Sequence, residues 1–231
     1  MKLQQRVKNK LKRIMDKLLD NPKNHKEEML RIAFRARKAW KIEGNYFEFG
    51  VYKGKTFIPA YHLGQQYNLE SMKFFAFDSF EGLPQPTEIE GNDRFYASQY
   101  ACSLNQFKNI LQNNNVNLEK VTCIEGFYDK SLTKEIQQSM LPMKASIVWI
   151  DCDLYESTQP VLEFILPFLQ NGTIICFDDW FSYAGHPLKG EIRATSEWLQ
   201  KYPNIKLIDY KDFGAGGKSF LVQLESIEKK G

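Results

Sequence analysis

The sequence predicts an α/β fold, a doubly wound and mostly parallel sheet of seven strands with a helical extension at its N-terminus. Three observations predict it. From Tyr46 onward, short apolar runs alternate with amphipathic stretches, which is the pattern of βαβ units. The runs read as strands covered on both faces, as a parallel sheet requires. The chain of 231 residues is long enough for one such domain with a two-sided core and marginal for two.

The elements follow in order. Residues 1–40 read as helical, with Leu11, Ile14, Met15, Leu18 and Leu19 at a helical period. Asn21-Pro22 breaks this stretch, and a second helix is expected over 25–40. These helices are basic and are expected to pack on the domain or on a second subunit, which makes a homodimer the expected assembly. The extension is therefore assigned to 1–40 and the main domain to 41–231. Strands are expected at 46–49, 74–77, 121–125, 147–150 and 173–177, with helices between them at 55–67, 104–112, 130–140 and 159–169. A helix at 191–201 precedes two last strands, 205–210 and 219–224, joined by the glycine-rich turn 214–217 as a hairpin-like edge. The stretch 79–99 has no periodicity, and a loop of that length is expected to act as a lid.

Composition excludes several classes. A 43% hydrophobic fraction fits a folded globular chain, and a net charge of +3 is too small to argue for nucleic acid as a partner. No apolar run approaches the roughly 20 residues that cross a membrane, and the N-terminus has no secretory apolar region. Cys102, Cys123, Cys152 and Cys176 match no zinc spacing and are expected to be free thiols, which points to the cytoplasm.

The first strand ends in Glu48-Phe49-Gly50-Val51-Tyr52-Lys53-Gly54 and opens a helix. Gly50 permits a tight turn and Gly54 a close approach to that helix, leaving a backbone cradle at a helix N-terminus. The acidic Glu48 suits a ligand with an ammonium group, and the Gly-x-x-x-Gly spacing departs from the Gly-x-Gly-x-x-Gly of dinucleotide sites. Both features favour S-adenosylmethionine over NAD. The second strand runs into Asp78-Ser79, where an acid accepts hydrogen bonds from ribose hydroxyls.

Two later strands each end in an acid pair, Asp151 with Asp153 and Asp178 with Asp179. In open α/β sheets ligands bind at this edge. Carboxylates that converge there must protonate, separate or hold a cation. A hard divalent ion answers the oxygen-only donor set, Mg²⁺ first and Ca²⁺ or Mn²⁺ after it. The same acids also suit a positive sulfonium, which places Asp151 among the cofactor-facing residues. An NAD-dependent oxidoreductase and a metal-dependent phosphoester hydrolase are the alternatives on a similar sheet.

The runs 46–56 (YFEFGVYKGKT), 76–84 (AFDSFEGLP), 151–158 (DCDLYEST) and 177–180 (FDDW) together resemble the macrocin O-methyltransferase family. The resemblance spans roughly 46–224. It implies a class I S-adenosylmethionine-dependent O-methyltransferase, with an antiparallel last strand and a hydroxylated, sugar-containing small molecule as acceptor. It implies Mg²⁺ on Asp151, Asp178 and Asp179, and Asp153 as general base. The resemblance also implies a histidine as base in some members, so His186 is the rival base. In methyltransferases of this fold the position of Glu125-Gly126-Phe127 borders the adenine.

Overall fold

The computed structural model describes residues 22–86 and 95–225. Among them, seven strands form one sheet in the order β3-β2-β1-β4-β5-β7-β6. They are β1 (Asn45–Phe49), β2 (Phe74–Asp78), β3 (Val121–Glu125), β4 (Ala145–Ile150), β5 (Ile174–Phe177), β6 (Ile205–Phe213) and β7 (Gly217–Leu224). The helices are α1 (Pro22–Ala39), α2 (Phe57–Gln66), α3 (Leu104–Asn113), α4 (Tyr128–Ser131), α5 (Lys134–Ser139), α6 (Tyr155–Ile165) and α7 (Gly190–Lys201). β1 to β5 run parallel, and β7 lies antiparallel to both β5 and β6. This is the doubly wound sheet and hairpin edge that the sequence predicts.

Successive strand side chains point to opposite faces. Tyr46, Phe74, Ala76, Ile147 and Trp149 therefore enter the core beneath α1, α2 and α3. Phe47, Phe49, Phe75, Phe77, Val148 and Ile150 enter the second core, which α6 and α7 cover. Two covered faces explain why these strands are apolar at nearly every position.

α1 packs on α2 and β4 of the same domain. Met29, Leu30, Ala33 and Phe34 form its buried stripe. The expected first helix, with Leu11, Ile14, Met15, Leu18 and Leu19, lies outside the described residues.

Two helices differ from expectation. The helix expected over 130–140 is two short pieces, α4 and α5. Thr133 breaks it, because its extended backbone and its hydroxyl, which accepts from the Ile136 N–H at 3.3 Å, start a new helix. The helix expected over 159–169 starts earlier, at Tyr155, and carries Pro160 inside it. It ends at Ile165 in a tight turn, Leu166–Phe168, that contains Pro167. The four cysteines are free thiols, three of them buried. No helix among the described residues is long and apolar enough to cross a membrane.

Candidate active site

The ladder bonds continue one residue past the strand ends. Gly50 N–H donates to Phe77 O at 2.9 Å, Asp151 N–H to Phe49 O at 2.8 Å, and Asp178 N–H to Ile150 O at 2.8 Å. Parallel pairing thus draws Gly50, Asp151 and Asp178 into one row at the C-terminal edge of the sheet. The row forms one wall of a cavity of about 740 Å³, within the range of small-ligand sites. Gly50 has φ +87°, and a Cβ there would lie 1.9 Å from the Asp151 carbonyl oxygen. Only glycine lets the β1–α2 turn pass this close to β4.

Asp78 organises that turn. Its Oδ2 accepts from the N–H groups of Val51 (2.8 Å) and Tyr52 (3.0 Å), and its Oδ1 accepts from Phe80 N–H at 2.8 Å. A carboxylate has about four lone-pair sites, so Asp78 keeps capacity for a ligand hydroxyl while it holds the turn. Burial raises its pKa, and the three backbone donors oppose that rise. Ser79 Oγ donates to Gly82 O at 2.7 Å and accepts from Glu81 N–H at 3.0 Å, so it shapes the start of the long loop. Leu83 N–H to Gln99 O and Ser98 N–H to Leu83 O, both 2.9 Å, close the loop at its base. Residues 87–94 of the expected lid lie outside the described residues.

Five carboxyl side chains gather beside this turn. Ligand oxygens of Asp151, Asp153 and Asp179 lie within 4.8 Å of one another. Asp153 sits at φ +59°, an uncommon backbone for a non-glycine residue, in the tight bend between β4 and α6. That bend aims its carboxylate at the other two rather than leaving it to cap α6. Asp179 Oδ1 accepts from Ser182 Oγ at 2.7 Å, and Asp179 N–H donates to Glu191 Oε2 at 3.0 Å. Glu191 is 1% exposed, and its Oε1 has no hydrogen-bond partner among the described residues. Burial first, and then the neighbouring Asp179 and Asp178, raise the Glu191 pKa well above the carboxylate range.

Asp178 is drawn away from that trio. Its Oδ2 forms a short ion pair with the Lys26 ammonium, which also meets Asp151 Oδ2 at 3.2 Å. Burial and then Asp151 raise the Asp178 pKa, and Lys26 opposes them. Burial works against the charge on Lys26, but Asp151 and Asp178 outweigh it and its pKa is raised. The expected ligand set was Asp151, Asp178 and Asp179. The carboxylates gathered in the structure are Asp151, Asp153 and Asp179, because an ammonium already occupies the gap between Asp151 and Asp178.

Of the residues expected at the site, Gly50, Asp78, Ser79, Phe127, Asp151, Asp153, Asp178 and Asp179 line the cavity. The other expected residues do not line it. Glu48 is 1% exposed and lies on the α1 face of β1, where its Oε2 accepts from the Tyr46 hydroxyl at 2.5 Å. A mid-strand residue points into a core layer, not over the strand end. Gly54 closes the turn by donating to Val51 O at 2.7 Å. Glu125 is exposed, and Gly126 N–H ties the end of β3 to Asp78 O at 3.0 Å. His186 is exposed, and its Nδ1 accepts from Leu188 N–H at 3.2 Å.

Two residues at the site escaped the sequence reading, Lys26 and Glu191. The signal for Lys26 was a cation on the stripe that carries Met29, Leu30 and Ala33. Glu191 looked like an ordinary acid in the first turn of a helix, where the helix dipole favours one.

The strand order, the antiparallel β7 and a cradle built around Gly50 and Asp78 define a class I methyltransferase fold. The Macrocin-O-methyltransferase (TylF) profile matches residues 24–197. The chain belongs to that family and is an S-adenosylmethionine-dependent O-methyltransferase. The match begins inside α1. Among solved structures, the O-methyltransferase NovP is similar at 20% identity and a TM-score of 0.68, over 86% of this chain and 79% of that one. CalS11, a calicheamicin methyltransferase, is similar at 20% identity and a TM-score of 0.69, over 90% of this chain and 85% of that one. The methyltransferase PaMTH1 of Podospora anserina, in a structure with bound SAH, is similar at 12% identity and a TM-score of 0.54, over 94% and 96% of the two chains. At such identities the likeness is one of fold. No curated protein matched the chain.

Proposed function

We propose that this enzyme methylates a hydroxyl of a small, sugar-containing acceptor with the help of a divalent cation held by Asp151, Asp178 and Asp179. One observation carries this reading: a cation, the Lys26 ammonium, already lies between Asp151 and Asp178 in the same cavity as the Gly50 turn. Asp153 and Asp179 add oxygen donors beside Asp151, with ligand atoms of all three within 4.8 Å of one another. An all-oxygen, acid-rich site of this kind fits Mg²⁺ or Mn²⁺. The cavity itself suits the cofactor, since about 740 Å³ lies open beside the Gly50 turn and Asp78. Two of the structural relatives named above, NovP and the calicheamicin enzyme, are O-methyltransferases or methyltransferases by name, which agrees with a natural-product acceptor.

When bound, S-adenosylmethionine supplies a methyl activated by its sulfonium and the divalent ion supplies Lewis acidity toward the acceptor hydroxyl. The chain does the rest. Asp78 and the N–H groups it binds fix the cradle that positions the cofactor. The Tyr52 and Tyr100 rings, 5.7 Å apart edge to face, line one side of the cavity. Asp153, held by its left-handed backbone in the cavity wall, would take the acceptor hydroxyl's proton on a carboxylate oxygen. Holding the two reactants in line contributes several kcal/mol to the rate.

Methyl transfer from labelled S-adenosylmethionine to a panel of glycosylated natural products and nucleotide sugars tests the reading. Asp178→Asn and Asp179→Asn are expected to lose turnover while SAH still binds by calorimetry. Full turnover by metal-free protein in excess EDTA would rule the cation out.

A further inference from the structure

α1 is pinned to β4 at two points. Near its C-terminal end, Arg37 Nε donates to Ser146 Oγ at 3.2 Å, at the start of β4. Near its N-terminal end, Lys26 meets Asp151, just past the end of β4, at 3.2 Å. The two contacts are in register. Eleven helical residues, 26 to 37, rise about 16.5 Å, and five strand residues, 146 to 151, rise about the same. Between the pins, Met29, Leu30, Ala33 and Phe34 face the core. Helix and strand therefore act as matched rulers, and docking of the apolar stripe delivers the ammonium to the acids.

Two further features matter. The Lys26 side chain retains 32% of its exposure, so the ammonium lies near the rim of the cavity and not in its floor. Its contacts on Asp151 Oδ2 and Asp178 Oδ2 are with oxygens that the proposed divalent site needs. An ammonium and a divalent ion repel strongly at such distances in a partly buried site. Both cannot hold the same carboxylate oxygens.

We propose that Lys26 is a built-in counter-cation that fills the acid site when no metal is bound and is displaced from it by the divalent ion. Docking of the first turns of α1 then reports whether the active site is loaded. This rests on the cation reading above. Without a metal, Lys26 holds Asp151 and Asp178 together against their mutual repulsion. With one, the ammonium swings outward and the first turns of α1 loosen, while Arg37 and the apolar stripe keep the rest in place.

The test is Mn²⁺ binding by calorimetry to the full chain, without cofactor or acceptor. Lys26→Met keeps the length of the stem and removes the charge, and it is expected to bind Mn²⁺ at least about tenfold more tightly than wild type. Lys26→Arg keeps the charge and is expected to stay within about threefold of wild type. In EDTA, Lys26→Met is expected to melt below wild type, and saturating Mn²⁺ is expected to close that gap. In the wild-type chain, Mn²⁺ is expected to speed amide exchange in α1 near Lys26 and not near Arg37. Equal or weaker Mn²⁺ binding by Lys26→Met, with wild-type binding intact, overturns the role of Lys26 alone. Binding by neither protein overturns this role and the cation reading together. Unchanged exchange near Lys26 on Mn²⁺ binding overturns the displacement.

Discussion

Gly50→Ala perturbs the fold and the site at one atom. The new Cβ would stand 1.9 Å from the Asp151 carbonyl oxygen, so the β1–α2 turn and the end of β4 must separate by about 1.1 Å to reach even a tight 3.0 Å contact. One backbone bond crosses that gap, Asp151 N–H to Phe49 O. Losing it removes about 1 kcal/mol net, and holding alanine at φ +87° adds about 1–2 kcal/mol. The expected loss of stability is therefore about 2–3 kcal/mol. Gly185→Ala is the control, since φ is +73° there but the nearest atom to a new Cβ lies 3.9 Å away. It should show the backbone strain alone, about 1–2 kcal/mol. Urea unfolding of both variants gives the two losses, and calorimetry with SAH reads the site, where Gly50→Ala is expected to lose at least tenfold in affinity because Asp151 moves with its carbonyl. If Gly50→Ala unfolds like Gly185→Ala and binds SAH like wild type, the close packing of the turn on β4 is not what shapes the cradle.

Other consequences follow from single contacts. Burial, with Asp151 adding and the Tyr46 hydroxyl opposing, raises the Glu48 pKa well above the carboxylate range. Folding therefore favours the protonated form, so this contribution is complete below the unfolded value near 4.3 and declines as pH climbs toward the folded value. Glu48→Gln cannot ionise and should gain on wild type by up to about 1.4 kcal/mol per pH unit above pH 5, whereas a pH-independent difference in urea melts would show that Glu48 folds ionised. His186→Ala, at an exposed ring beyond the cavity, should leave methyl transfer within about twofold, while Asp153→Asn should lower the rate at least a hundredfold. The reverse pattern would make the histidine the base. Thr133→Ala removes the cap of α5 and should lower stability by about 1 kcal/mol, and an unchanged urea midpoint would show that the cap is not needed there.

Much of the architecture was legible in the order of residues. Alternating apolar runs and amphipathic stretches announced the sheet. Asp78, Asp151 and Asp178 closed such runs, so parallel pairing had to bring them to one edge whatever the details of packing. The errors came where a side chain's direction mattered more than its place. Glu48 adjoins the Gly50 turn in sequence, yet strand alternation turns it into the core against Tyr46. His186 follows the acid pair closely, yet its loop carries it to the surface.

The sequence by itself determined the layered sheet, the glycine turn and the row of acids, because these depend on local periodicity and on the rule that parallel strands end together. Tertiary structure alone decided which cation meets those acids. Lys26 is 125 positions from Asp151, and their meeting depends on a helix laid along a strand at a matched rise. Glu191 reaches Asp179 across a loop in the same way. Such partnerships are set by three-dimensional packing of distant segments, and a charge read along the chain carries no record of what it will face.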